Sequence, residues 1–171
     1  MAEAQMVGNL MMRSDLVAFL ATEQGTTGVY TYKRMQGFTG FSISRNPSEY
    51  SRQYVDESFE QTDVTGYSPS IGFGFDRHVG NEVHDYLAEI IDNEVIGTDA
   101  VVQILTVDIT KDGTVEDNAW IRPFAVIADT EGDSTDAYTY NGTFRVKGNR
   151  ELGRSVISQD GLTATWAPAT T

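Results

Sequence analysis

The apolar residues of this chain fall into short runs, and turn-forming residues separate each run from the next. Tyr, Phe, Val, Ile and Thr dominate the runs, whereas Gly, Asn and Asp lie between them, as is typical of antiparallel β proteins. The clearest run is residues 67–76 (YSPSIGFGFD), in which Ile71, Phe73 and Phe75 recur at period two and therefore share one face of a strand. Gly72 and Gly74 lie on the opposite face, which indicates either a close neighbour there or only a thin outer face.

Runs of the same kind recur along most of the chain and predict about seven to nine strands. Residues 45–49 (RNPSE) predict a hairpin turn because Asn-Pro favours turn initiation, and Asp112-Gly113 predicts a second turn. Pro123 predicts an edge strand or a bulge, since proline cannot donate a ladder hydrogen bond. Besides residues 67–76, the predicted strands are 28–36, 38–44, 101–109, 120–128, 138–147, 152–157 and 162–166.

Residues 81–95 are the one segment with convincing helical periodicity. Asn81 can cap the first turn, and apolar residues then recur every three or four positions, which predicts a helix with one buried face. The fold predicted is therefore mainly β, a β-sandwich or barrel of antiparallel strands with one flanking α-helix. We expect a single domain, residues 1–171, with an extended N-terminal arm at 1–22 and a C-terminal tail at 162–171.

The charge balance limits the partners that the protein can bind. Twelve basic residues against 25 acidic ones give a formal net charge of −13, the opposite of what neutralising phosphates requires. The carboxylates either keep the protein soluble by self-repulsion or form a surface along which a polyanion passes without adhering. The chain has no cysteine, so disulfides and thiolate metal sites are not available. No stretch predicts a membrane helix or a signal peptide.

Candidate catalytic and metal-binding motifs are few. His78 and His84 lie six positions apart, not the four that place two ligands on one helix face, so we expect exposed or helix-end histidines. Residues 108–113 resemble a calcium loop only weakly because Lys111 occupies a ligand position, and a plain hairpin is the better interpretation. With no nucleophile elbow and no phosphate-binding loop, we predict no catalytic residues, no metal site, no cofactor and no enzymatic activity.

A series of short motifs runs in order from about residue 37 to residue 153: 38–39 (FT), 43–47 (ISRNP), 61–71 (QTDVTGYSPSI), 75–76 (FD), Val83 and Tyr86, 97–100 (GTDA), 107–108 (VD), 140–144 (YNGTF), 147–149 (KGN) and Gly153. The series resembles the major tail proteins, or tail tube proteins, of long non-contractile-tailed bacteriophages of the siphophage type that infect Gram-positive hosts. In that family a T-G-Y-x-P-S stretch leads into a strand that ends in Asp and is followed by the single helix.

The resemblance implies a structural subunit that forms hexameric rings. Such rings stack into a hollow tube that conducts DNA from the capsid to the host cell, and the transiting double-stranded DNA is not bound specifically. The implied partners are other copies of the chain, the tape-measure protein, and the tail terminator and distal tail proteins, with no membrane partner. The implied location is the virion tail, after assembly in the host cytoplasm.

Two sets of residues are candidates for the surfaces of such a tube. Residues 50–59 are polar and predict an extended, solvated segment. The carboxylates in and around this segment would lie near the bore or the joint between rings, or else in an ordinary solvated loop. They are Glu49, Asp56, Glu57, Glu60 and Asp63. The N-terminal arm, the turn at 45–49 and the C-terminal tail would reach a neighbouring subunit, which would cover their exposed residues: Leu10, Met11, Met12, Arg45, Asn46, Pro47 and Trp166.

Two other interpretations of the same sequence stay open. The chain fits a tube subunit of a phage-like bacteriocin or of a gene transfer agent as well as it fits a phage. It also fits a monomeric β-sandwich that binds carbohydrate or another ligand, which predicts a stable monomer.

Overall fold

The computed structural model describes residues 8–24, 30–111, 113, 117–132 and 134–169. Within these residues the chain forms one α-helix, α1 (Glu82–Asp92), and two short 3-10 helices, Arg13–Asp15 and Gly97–Ala100. The strands are β1 (Leu16–Gln24), β2 (Tyr30–Arg34), β3 (Phe38–Ser44), β4 (Pro47–Arg52), β5 (Gln61–Tyr67), β6 (Ser70–Asp76), β7 (Val101–Asp108), β8 (Ala119–Glu131), β9 (Thr139–Val146), β10 (Glu151–Ile157) and β11 (Thr163–Pro168).

Nine of these strands form one antiparallel sheet in the order β10-β11-β2-β1-β7-β8-β9-β6-β3. Strand β8 also pairs with β10, so that β8, β10, β11, β2, β1 and β7 close into a ring. The remaining strands continue the sheet from the far half of β8 to β3. The mainly β fold with one helix is therefore confirmed, and its architecture is a ring of strands with an extended sheet attached.

Strand β8 forks between two neighbours, and Pro123 lies at the fork. Residues before it pair with β10, and residues after it pair with β9. On its other side Pro123 lies opposite Gln103 of β7. Proline has no N–H to donate, so it fits the point where the strand changes partner on one side, which is the irregular position that its presence predicts.

The helix covers one face of the sheet and the ring encloses the other. Leu20 and Ile104 pack with α1 in one cluster, whereas Phe19 and Leu105 belong to a second cluster inside the ring. Adjacent residues of one strand thus point into two different cores, because side chains alternate along a strand. Strands β1 and β7 are the shared wall of the two cores.

The helix begins and ends with recognisable caps. The Asn81 side chain accepts hydrogen bonds from the backbone N–H groups of Val83 and His84, which confirms the predicted N-cap. The helix ends earlier than predicted, at Asp92, where Glu94 adopts a φ of 49° and its N–H donates to Ile91. The N–H of Val95 donates to the Ile90 carbonyl, and together these bonds form a Schellman end.

Three sequence expectations differ from the structure. The N-terminal arm was expected to reach residue 22, but β1 begins at Leu16 because its side chains fill both cores. The expected C-terminal tail contains β11, which pairs with β10 and β2. Strands β4 and β5 were not predicted, since they lack the apolar alternation that marks a strand covering a core. The described residues therefore contain eleven strands, more than predicted.

His84 is fully buried in the first turn of α1, so of the two expected placements, exposed or at a helix end, only the second holds for this residue. Its Nδ1 accepts from the N–H of His78, which leaves Nε2 to donate to the carbonyl of Gln36 at 2.7 Å. The imidazole stacks on Phe75 with ring centroids 4.6 Å apart. Burial lowers the pKa of His84, and the side chain acts as a neutral bridge between the helix and the segment before β3.

The two strand glycines of residues 67–76 have different surroundings. Gly72 is exposed and no atom lies near the position of an added Cβ, so this part of the strand has a thin outer face. At Gly74 an added Cβ would lie 2.6 Å from Oδ1 of Asn141, so a close neighbour excludes a side chain there. Each of the two sequence interpretations holds at one of the glycines.

Candidate assembly surface

Strands β3 and β4 form one arm of a long hairpin, and β5 and β6 form the other. The inner part, β3 with β6, belongs to the main sheet, whereas β4 and β5 pair only with each other. All 24 residues from 42 to 65 are exposed. The segment β4–β5 with its connecting tip (residues 47–67, termed here the projecting hairpin) therefore stands away from the domain and has no core of its own.

A kink at residues 45 and 46 separates the two parts of the long hairpin. Asn46 adopts a φ of 44°, a conformation that asparagine tolerates better than most residues. Its Nδ2 donates to the carbonyl of Ser68 at 3.0 Å and to Oγ of Ser70 at 3.1 Å. The predicted hairpin turn at 45–49 is therefore wrong in form: the chain bends there but continues as a strand from Pro47, and it turns back at residues 53–60.

All five acidic residues singled out from the sequence lie on the projecting hairpin. Between residues 47 and 67 there are five carboxylates and one guanidinium, that of Arg52, which gives a net charge of −4. The Arg52 guanidinium donates to the hydroxyl of Tyr50 at 3.0 Å. The carboxylates are Glu49 in β4, Asp63 in β5, and Asp56, Glu57 and Glu60 in the tip.

Large apolar side chains also occupy the projecting hairpin and meet only solvent. Val55 and Phe59 in the tip have relative exposures of 108% and 82%. A two-stranded hairpin is at best marginally stable alone in water, and contiguous exposed apolar groups mark interaction sites. The projecting hairpin therefore has the composition of a surface that another molecule covers.

A second apolar surface surrounds a groove of about 390 Å³ between β3 and the start of β1. Met11 and Met12 lie at its rim and are half exposed, and Leu10 nearby is 86% exposed. Phe41 and Ile43 of β3 form the other side. Among the described strands of the nine-stranded sheet, β3 is the one with an unpaired edge, and an unpaired edge is a site where a further chain can add.

Trp166 does not share this exposed character. It is partly buried against the ring core, and its indole covers Gly153, where an added Cβ would lie 2.5 Å from Nε1 of Trp166. The expectation that Trp166 is an exposed apolar residue of a free tail is therefore wrong. Its place in β11 fixes it inside the subunit.

The described residues contain no group of three His, Asp or Glu side chains placed to hold a metal ion. No described helix is long and apolar enough to cross a membrane. Some of the titratable groups with altered pKa values serve contacts within the chain. Burial, for example, raises the pKa of Tyr140, whose hydroxyl donates to Oδ1 of Asp92 at 3.0 Å.

The described residues thus present an exposed hairpin and an open sheet edge. No family model matches the sequence, and no curated protein matches it. The fold, in contrast, is similar to solved structures. One is a chain in the tail of an empty gene transfer agent particle refined with C6 helical symmetry, at a TM-score of 0.60 and 12% identity, covering 84% of this chain and 98% of that one.

A chain in the virion of a native gene transfer agent particle matches almost equally well. The TM-score is 0.59 at 12% identity, with the same shares of both chains covered. At this identity the similarity concerns the fold. The resemblance to tail tube proteins that the sequence motifs carry is confirmed at that level, because the fold occurs in the tail of a phage-like particle.

Proposed function

We propose that this chain is the structural subunit of a tail tube, in a phage or in a phage-like particle such as a gene transfer agent. Its copies form six-membered rings that stack into a hollow tube, through which double-stranded DNA passes without specific binding. The observation that carries the proposal is the projecting hairpin, in which 19 consecutive exposed residues, 47–65, include apolar groups with nothing in the subunit to cover them. The C6 symmetry of the similar tail supports the number of copies in a ring.

The charge of the chain is consistent with a conduit for DNA. A net charge of −13 disfavours the release of counterions from DNA that drives adhesion to basic proteins. Carboxylates that face a bore would repel the phosphates of the DNA, so that the DNA would slide through the tube without adhering. In this proposal the further partners are the tape-measure protein inside the growing tube and the terminator and distal proteins at its ends, and assembly takes place in the host cytoplasm.

The first test is electron microscopy of the purified protein in negative stain, beside sedimentation velocity, at low and moderate salt. Rings or tubes with a central channel are expected, either unaided or after addition of tail-tip complexes that start the tube. A monomer at every concentration, with and without those complexes, would refute the tube proposal. That result would favour the monomeric ligand-binding β-sandwich instead.

A shortened hairpin tests whether the projecting hairpin carries the assembly. Arg52 and Gln61 lie opposite each other at the end of the β4–β5 ladder, so residues 53–60 can be replaced by Asn-Gly, which forms a two-residue hairpin turn. The variant keeps the ladder and should unfold at an unchanged urea concentration, yet form no tubes. The control replaces residues 134–136, a loop on the main domain, by a Gly-Ser linker of equal length, and it should assemble normally.

A further inference from the structure

Three arginines lie together next to the apolar groove, in a chain that is otherwise acidic. The Cζ atom of Arg150 is 4.1 Å from the ring centre of Trp120, and Nε of Arg122 donates to the carbonyl of Gly148 at 2.9 Å. Arg45 follows Ile43 by two positions at the end of β3. None of the ion pairs among the described residues includes any of the three (the arginine group, Arg45, Arg122 and Arg150).

The strand register places the arginine group beside the groove. Trp120 lies opposite Thr106, and Arg122 lies opposite Ile104, in the β7–β8 ladder. Directly opposed residues of antiparallel strands share one face of the sheet, and Thr106 lines the groove. Trp120 and Arg122 therefore lie on the groove side of β8, and Arg150 lies on Trp120.

The arginines repel one another and need a negative partner. Partial burial lowers the pKa of Arg122 and of Arg150, and the nearby charge of Arg45 lowers both further. Like charges held together cost free energy unless a counter-charge joins them. A groove with an apolar floor and a cationic end thus fits an occupant that is both apolar and acidic.

The projecting hairpin has this composition at its tip. Val55 and Phe59 are exposed apolar groups, and Asp56, Glu57 and Glu60 lie between and beside them in the sequence. Six residues of β4 rise about 20 Å, so the tip of a chain lies about that far from the kink beside its own Arg45. A tip can therefore meet an arginine group only in a different copy of the chain.

We propose that the tip of the projecting hairpin of one copy docks in the groove of a second copy, with Val55 and Phe59 on the apolar floor and its carboxylates against the arginine group. This inference rests on the proposed function and names the contact between subunits. Each copy carries both surfaces, so the contact is heterologous, and such contacts extend into open filaments. The acidic residues of the tip serve, in this arrangement, the joint between subunits rather than the bore.

Charge reversal at each side of the joint tests the pairing. Arg45→Glu, or Glu57→Lys with Glu60→Lys, should raise the critical concentration for assembly by about tenfold or more, since opposed like charges at an interface are strongly unfavourable. Combining all three changes in one chain should restore assembly. Controls with the same change in net charge are Arg154→Glu and the pair Glu89→Lys with Asp99→Lys, all at exposed positions elsewhere.

Mixing the two reversed proteins gives a sharper result. The acidic tip of the Arg45→Glu chain fits the unchanged groove of the Glu57→Lys, Glu60→Lys chain, and the basic tip of the second chain fits the reversed groove of the first. Every joint between unlike chains is therefore complementary, whereas every joint between like chains is not. Electron microscopy should show tubes from the mixture and none from either variant alone at the same concentration. A mixture that assembles no better than either variant alone, or tubes from either variant alone at the wild-type critical concentration, would overturn the inference while leaving the tube proposal standing.

Cross-linking locates the contact directly, because the chain has no native cysteine. Phe59→Cys in one copy and Ile43→Cys in another should join through a short bismaleimide into a heterodimer, whereas Phe59→Cys with Val79→Cys, at a remote exposed site, should not. Absence of the first product in preparations that form tubes would overturn the inference. The inference would also be overturned if the Arg45→Glu variant assembled normally but no longer bound a short DNA duplex, since the arginines would then bind nucleic acid.

A wild-type chain that stays monomeric under all conditions, with tail-tip complexes added, would overturn both proposals together. Tubes from the wild type and from every charge-reversed variant would overturn the docking inference alone. The two failures are therefore distinguishable in one set of experiments.

Discussion

Replacing Asn118 by alanine is expected to destabilise the folded protein by about 2–4 kcal/mol, because this side chain closes the ring of strands. Asn118 precedes β8 and is only 2% exposed. Its Oδ1 accepts from the N–H of Ser155 at 2.9 Å, and its Nδ2 donates to the carbonyl of the same residue at 3.0 Å. The amide group thereby continues the β8–β10 ladder beyond its last backbone pair.

The magnitude follows from what alanine would leave behind. Ser155 is also 2% exposed, so its N–H and C=O would both lose their partner in a place that water reaches poorly. Each buried polar group left without a partner costs about 1–3 kcal/mol. The sum is reduced when the strands relax enough to admit a water molecule, which gives the range stated.

Urea unfolding followed by tryptophan fluorescence measures the effect. The midpoint should fall by about 1–2 M with an unchanged m-value, since m is about 1–3 kcal/mol/M for small proteins. Asn118→Asp keeps the acceptor but loses the donor and should be destabilised. The control Asn93→Ala removes an exposed amide that donates to Glu89 and should change the free energy of unfolding by about 0.5 kcal/mol or less.

Hydrogen exchange gives an independent readout of the same contact. The amide of Ser155 should exchange faster in Asn118→Ala, together with those of β10 and β11, while α1 keeps its protection. A free energy of unfolding for Asn118→Ala within about 0.5 kcal/mol of the wild type would refute the reasoning. Ring closure would then rest on the backbone pairs alone.

Three further predictions concern the packing, the helix cap and the buried histidine. Gly153→Ala would place a Cβ against the carbonyl of Ala167 and the indole of Trp166, so we expect a loss of about 1–3 kcal/mol, and a wild-type urea midpoint would contradict it. Asn81→Ala removes the acceptor for two N–H groups of the first helical turn and should cost about 1 kcal/mol, seen as a lower melting temperature, whereas Asn81→Asp should be near neutral. Burial lowers the pKa of His84 from its ordinary value of 6.5, so at mildly acidic pH the unfolded chain binds a proton that the folded chain does not bind. The free energy of unfolding should therefore fall as the pH drops below about 6.5. His78 and Asp85 also lie near the imidazole of His84. In a His84→Gln variant the free energy of unfolding should fall less between pH 7 and pH 5 than in the wild type. An equal fall would assign the effect to other groups.

Local patterns in the sequence determined those elements whose side chains meet a single core. The alternation of Ile71, Phe73 and Phe75 predicts β6, and the cap and apolar stripe after residue 81 predict α1, because each pattern records one buried face. The motif order from residue 37 to residue 153 indicates the tail tube resemblance, and the structural similarity confirms it at the level of the fold. The apolar exposure of Met11 and Met12 was also predictable, as the residues precede the first strand.

Only the tertiary structure decided how the strands close and what stands outside them. Strand β1 shows no alternation of apolar and polar residues because both of its faces are buried. Strands β4 and β5 show none because both of their faces are exposed. The burial of His84 depends on Gln36, which lies 48 positions earlier in the chain, and on the stacked ring of Phe75. The arginine group likewise draws its members from three separate segments, since charges distant along a chain come together only when strand register has placed their backbones side by side.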